Sequence, residues 1–193
     1  MIFETHILPK TLENYIESIF YFKGFMPEHS IERVVPTGHV FIIFELDGIK
    51  RHTFNNNTLK PNGTFSKVWV SGMHKNYLSI SAHPNSEMLV IQFKCAGAFP
   101  FFYQPIYKLN DQVSAAQDIL GIEIIELHKQ ILYNKTSIEK FEVVQNWLLN
   151  RINSKDIAGQ DLLKIVNLLK NNPFIEHHKI IESYPKTQKH LIS

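Results

Sequence analysis

The chain has 193 residues, of which 44% are apolar and 12% aromatic, with a formal charge of +2. That length suits one medium domain or a domain with a small appendage, and the charge is too small for a chain that binds nucleic acid along its whole surface. A single cysteine, Cys95, excludes an intramolecular disulfide framework. The N-terminus lacks the basic start and apolar stretch of a signal peptide, and no apolar run reaches membrane-spanning length. A cytoplasmic location with no membrane partner is the expectation.

From Ser18 to Phe93 the apolar residues come in short runs rich in Val, Ile, Phe, Tyr and Trp. Turn clusters separate the runs, at 24–30, 36–38, 47–48, 55–63 and 83–86. This pattern predicts antiparallel strands near 18–25, 30–35, 39–46, 49–54, 67–71, 77–82 and 88–94. Asp47-Gly48 reads as a hairpin turn between two of them. The run at Val40–Leu46 is apolar at both parities, so it belongs to the middle of a barrel or sandwich, or to a sheet covered by helices.

The period changes after Cys95-Ala96-Gly97-Ala98. Val113, Ala116, Leu120, Ile124, Leu127 and Ile131 recur at helical spacing, with Gly121 weakening or splitting that helix. Thr136-Ser137-Ile138-Glu139 forms a capping box for a second helix striped by Ile138, Phe141, Val144, Leu148 and Ile152. The two predict an antiparallel helical hairpin over 113–153 that pairs two copies of the chain, with Phe141, Trp147 and Leu148 as anchors; the alternative is that both helices pack only on the chain's own barrel. A polar linker at 153–159 leads to a third helix from Gln160 to Lys170, halted at Asn171-Asn172-Pro173. A short helix at 175–182, a turn at 183–185 and a last helix capped by Thr187 complete a helix-turn-helix layout over 160–193. Gln188 and Lys189 carry donors suited to base edges and phosphates.

No catalytic motif stands out. There is no nucleophile elbow, P-loop, dinucleotide-binding glycine pattern or zinc-protease motif. Cys95, at the end of an apolar run, reads as an inert thiol. His39, His52, His74 and His83 are isolated from one another, and the adjacent His177-His178 diverge by about 100° on a helix, so no metal or other cofactor is expected. His39 reads either as a pocket group or as a turn-edge histidine bonded to backbone. Strand alternation and aromatic content predict a small, mainly apolar cavity lined by Arg33, His39, Phe41, Ile43, Trp69 and Phe93. A register slip of one residue exchanges the two faces of any strand.

The order of parts resembles the AraC family of bacterial transcription regulators. Glu32-Arg33-Val34-Val35-Pro36-Thr37-Gly38-His39 is similar to an Arg-x-x-Pro-x-Gly lead-in of one sensor subgroup. Val70-Ser71-Gly72, Val90-Ile91-Gln92-Phe93-Lys94 with Gly97-Ala98, and Pro105 to Asp111 resemble further parts of it. Thr187 and Leu191 are similar to the opening of the recognition helix in the family's first helix-turn-helix. The resemblance implies an α+β chain: a cupin-like, jelly-roll sensor barrel over 1–112, the dimerising hairpin over 113–153, and the start of a DNA-binding unit over 160–193. It implies a non-enzymatic homodimeric regulator that binds a small-molecule effector, and DNA through Thr187, Gln188, Lys189 and Ser193. The recognition helix is cut at Ser193, and the linker helix and second helix-turn-helix of the family are absent from these 193 residues, so this chain alone is expected to bind DNA poorly. The competing reading is a small cupin-type enzyme with a helical extension, which needs a metal ligand set or a convergent acid–base group.

Overall fold

The computed structural model describes residues 1–152, 157–176, 178 and 179. Among the described residues ten antiparallel strands form two sheets, with helices on one side, which is the expected α+β class. β1 (Ile2–Thr5), β2 (Ile16–Phe25), β4 (Phe41–Glu45), β7 (Val68–Ser71), β9 (Ser86–Phe93) and β10 (Val113–Ala115) make a six-stranded sheet in the order β1-β2-β9-β4-β7-β10. β3 (Ile31–Val34), β5 (Arg51–Phe54), β6 (Pro61–Phe65) and β8 (Leu78–Ser81) make a four-stranded sheet in the order β3-β8-β5-β6. The chain passes back and forth between them. The sheets are not closed into the expected barrel: among the described residues no ladder joins one sheet to the other. Their edges are poor templates for closure. β6 starts at Pro61, which has no N–H to donate, and β10 is three residues long.

Asp47-Gly48 does not make a hairpin. β4 and β5 lie in different sheets, so this turn is a corner between layers. Gly48 has φ +74°, and the Asp47 carboxylate accepts a hydrogen bond from Ile49 N–H while its other oxygen meets Arg51 Nη2 at 2.5 Å. Two short edge strands, β1 and β6, arise where the sequence shows no apolar alternation. All four residues of β1 are exposed, and β6 reads Pro-Asn-Gly-Thr-Phe.

Val113 to Ala115 is strand β10, paired with Trp69 to Ser71, rather than the first turn of a helix. The helices are α1 (Lys10–Glu13), α2 (Phe99–Phe102), α3 (Ala116–Leu120), α4 (Glu123–Tyr133), α5 (Ser137–Arg151) and α6 (Ile157–Asn171). Gly121, at φ +84°, separates α3 from α4. The Thr136 hydroxyl accepts from Glu139 N–H and the Glu139 carboxylate accepts from Thr136 N–H, so the capping box forms. The stripes of α4 and α5 lie in the same core as the six-stranded sheet. Ile124, Leu127, Ile131, Phe141, Val144 and Leu148 are buried with Ile42, Phe44, Leu89, Ile91 and Phe93. Burying a side chain of this size contributes about 1.5–3 kcal/mol. The core therefore runs across the boundary at 112/113. The turn at 183–185 and the last helix, with Thr187, Gln188, Lys189 and Ser193, fall outside the described residues.

Candidate functional site

Alternation along β4 sends Ile42 and Phe44 to the helices, and Phe41 and Ile43 to the four-stranded sheet. The first face is solid. The second borders a cavity of about 420 Å³ between the sheets. Phe20, Phe22 and Phe25 of β2, Phe41 and Ile43 of β4, and Trp69 of β7 supply much of its wall. Glu32 and Val34 of β3, with Leu78 and Ile80 of β8, face them from the other sheet. Val35, Pro36 and Thr37, in the loop before β4, also border it.

Four of the six expected lining residues, His39, Phe41, Ile43 and Trp69, border this cavity. Arg33 does not. It occupies the outward parity of β3 and stacks its guanidinium 4.7 Å from the centre of the Tyr77 ring, while its neighbours Glu32 and Val34 point inward. Phe93 is on the helix side of β9 and packs on Phe101 and Phe102 at ring distances of 5.4 and 5.6 Å. Phe20, Phe22, Met88 and Val90 line the cavity as well, and the period of two in β2 and β9 carries that signal. His74 had none, because it lies in a loop.

One end of the cavity is polar. His39 Nδ1 lies 2.7 Å from the carbonyl oxygen of Phe93. A carbonyl only accepts, so Nδ1 is the donor in this bond. His74 Nε2 is 3.0 Å from Ser71 Oγ, and burial holds the His74 pKa below its ordinary value. Both readings of His39 therefore describe it, since it is bonded to backbone and borders the cavity. His74 and Leu78 also border a second, polar cleft of about 430 Å³ that contains several asparagines.

Behind the wall sits a buried charged group. Trp69 Nε1–H donates to Glu45 Oε1 at 2.8 Å. Arg51 of the four-stranded sheet, fully buried, places Nη2 2.9 Å from Glu45 Oε2 without hydrogen-bond geometry, and its Nε and Nη1 have no partner among the described residues. Burial pushes the Glu45 carboxyl up to about 7, against the pull of Arg51 and the Trp69 N–H. On the other face of β4, His128 of α4 is 2.7 Å from the Glu45 carbonyl oxygen. Glu45 thus touches the cavity wall, the second sheet and a helix.

The residues flagged for their resemblance meet at close backbone contacts. A Cβ at Gly72 would fall 1.7 Å from the Leu109 carbonyl oxygen, and one at Gly97 2.0 Å from that of Tyr15. Asp111 accepts from Lys75 N–H at 2.8 Å, tying the segment after Pro105 to the turn that follows Gly72. Among the described residues no group of three or more His, Cys, Asp or Glu gathers as a metal site, and no helix is long and apolar enough to cross a membrane.

A family model described as "Domain of unknown function (DUF6597)" matches residues 5–115, from the end of β1 to the end of β10. Among solved structures, the chain is similar to apo ToxT, in a lysine-to-alanine variant, from Vibrio cholerae strain SCE256. The two share 8% identity at a TM-score of 0.43, over 86% of this chain and 69% of that one. No curated protein matches the chain.

Proposed function

The chain belongs to the DUF6597 domain family, and on that premise we propose that it is the effector-sensing part of an AraC-type transcription regulator rather than an enzyme. The cavity between the sheets carries this reading. Protein interiors pack like organic crystals, with few voids larger than a water molecule. A space of about 420 Å³ between two otherwise well-formed sheets lies within the range of small-molecule sites.

The same geometry offers a way to report occupancy. A ligand against Trp69 presses on the indole that donates to Glu45, and the Glu45 carbonyl is bonded to His128 on α4. α4 packs on α5, and the chain then continues toward the expected DNA-binding residues Thr187, Gln188, Lys189 and Ser193. A ligand shifts such an arrangement only by its differential affinity for the two states. Pairing of two copies through α4 and α5 belongs to this reading, but on other residues than expected. Phe141 and Leu148 are consumed by the chain's own core, whereas Ile122, Leu132, Tyr133 and Ile138 remain exposed.

The test is a titration with N-phenyl-1-naphthylamine, a neutral apolar probe whose fluorescence rises on leaving water. One saturable site per chain is expected, and Ile43→Trp, which fills the cavity, abolishes it. Amide exchange in α4 slows on binding. Unchanged probe binding by Ile43→Trp would overturn the assignment of the site.

A further inference from the structure

The charge pattern of the cavity narrows its ligand. Its lining holds no lysine and no arginine, and it holds one carboxylate, Glu32. Glu32 sits at an inward position of β3 beside Val34, opposite the phenylalanines of β2. Among the described residues no cation pairs with it: Arg33 is turned outward onto Tyr77, and Lys23 is taken by Glu87. The wall also holds Phe20, Phe22, Phe25, Phe41 and Trp69 among aliphatic residues, and the negative face of an aromatic ring attracts a cation.

From these features we propose that the cavity takes a small hydrophobic amine, bound as its ammonium form, with Glu32 as counter-ion and the aromatic wall around the apolar body. This rests on the sensing-cavity reading and deepens it. An anionic ligand finds no positive side chain in the lining and meets the Glu32 carboxylate, so it leaves water without compensation. A neutral alcohol gains the apolar contacts and can donate its hydroxyl to Glu32, but brings no charge to pair with the carboxylate. An ammonium gains both, through a charge-assisted hydrogen bond and contact with the rings. The order of affinity is therefore amine, alcohol, carboxylate.

Three probes with one apolar body separate these cases: 4-phenylbutylamine, 4-phenylbutan-1-ol and 4-phenylbutyrate, titrated calorimetrically into the whole chain at pH 7. The amine binds roughly tenfold tighter than the alcohol, the size of effect that one charge-assisted contact supports, and the carboxylate binds weakest. Glu32→Gln brings the amine to the level of the alcohol and leaves the alcohol within about twofold, as expected when only a charge-assisted contact is lost. Glu32→Lys, on the same short strand, turns the order round in favour of the carboxylate. An alcohol or carboxylate that binds the parent best overturns the proposal, as does an amine preference that survives Glu32→Gln. Binding of N-phenyl-1-naphthylamine without binding of any of the three also overturns it and leaves the sensing cavity standing. Loss of the naphthylamine site as well removes the cavity reading itself.

Discussion

The two faces of the six-stranded sheet are built from alternate residues of the same strands, yet they end in different states. On the helix face Ile42, Phe44, Leu89, Ile91 and Phe93 are buried without remainder against α2 to α5. On the opposite face Phe41, Ile43, Met88 and Val90 border a void. Residue type does not explain the contrast, since both faces carry phenylalanine and branched aliphatics. What differs is the partner. Helices present side chains that fill the gaps of the sheet, while the four-stranded sheet stands off from it and brings in Glu32, Ser81 and a buried arginine. Tight packing is concentrated at one parity and open space at the other.

The largest effects should fall on the packed face. Phe44→Ala should cost about 3–5 kcal/mol in urea unfolding, as fully buried phenylalanines do. Phe41→Ala should cost less than about half of that, because it enlarges a space that already exists. Equal losses at the two sites would erase the contrast. Arg51→Ala tests the buried ion pair behind the hollow side. It removes the counter-ion of Glu45, whose carboxyl then takes up a proton, so it should cost about 1–3 kcal/mol, less than Phe44→Ala, and Glu45→Gln made together with it should recover much of the loss. Thr136→Ala removes half of the capping box and should cost about 1 kcal/mol. Lying on the helix side, it should leave probe binding unchanged.

Glu45 also makes stability depend on pH. The Glu45 carboxyl is held near 7 in the folded chain, above its ordinary value of 4.5, so the folded state keeps its proton longer than the unfolded chain. Its contribution to stability is complete below about 4.5 and is lost as pH rises through about 7. His74 and His128 act in the opposite sense. Burial lowers both, so their contribution is present above the ordinary histidine value and is lost on acidification. The difference between the parent and Glu45→Gln isolates the carboxyl. The parent should lose stability relative to the variant between pH 5 and pH 7. A difference that stays constant over that interval would show that Glu45 is ionised throughout.

The strands that pack on something were legible in the sequence. Seven runs of β-branched and aromatic residues correspond to β2, β3, β4, β5, β7, β8 and β9, and the capping box at Thr136 and the break at Gly121 were equally plain. β1 and β6 were not, because an edge strand needs no buried face and so carries no period. β10 was missed for another reason. Val113 and Ala116 are three residues apart, as on a helix, but Val113 is spent on an edge ladder with Ser71. The Asp47-Gly48 turn shows the limit of local signals: it specifies a reversal of the chain, not which sheet receives it. At the cavity, parity was right in β4 and β7 and one residue off in β3. In β9 aromatic character favoured Phe93 over Val90. Arg33, set outward by that single step, leaves Glu32 as the charge that faces inward. In the sequence Gly72 and Gly97 stand out only as parts of a resemblance. Their physical reason, a carbonyl oxygen where a Cβ would be, needs three dimensions.

The division between a packed and a hollow face is open to one direct measurement: methyl chemical shifts of the isoleucines and valines during titration with N-phenyl-1-naphthylamine. Ile43, Ile80 and Val90 border the cavity, while Ile42 and Ile91 are fully buried on the other side of the same strands. Saturating probe should move the methyl signals of the first three and leave those of Ile42 and Ile91 nearly still. Shifts as large at Ile42 and Ile91 as at Ile43, or no shift at any of them once the probe is bound, would contradict the account.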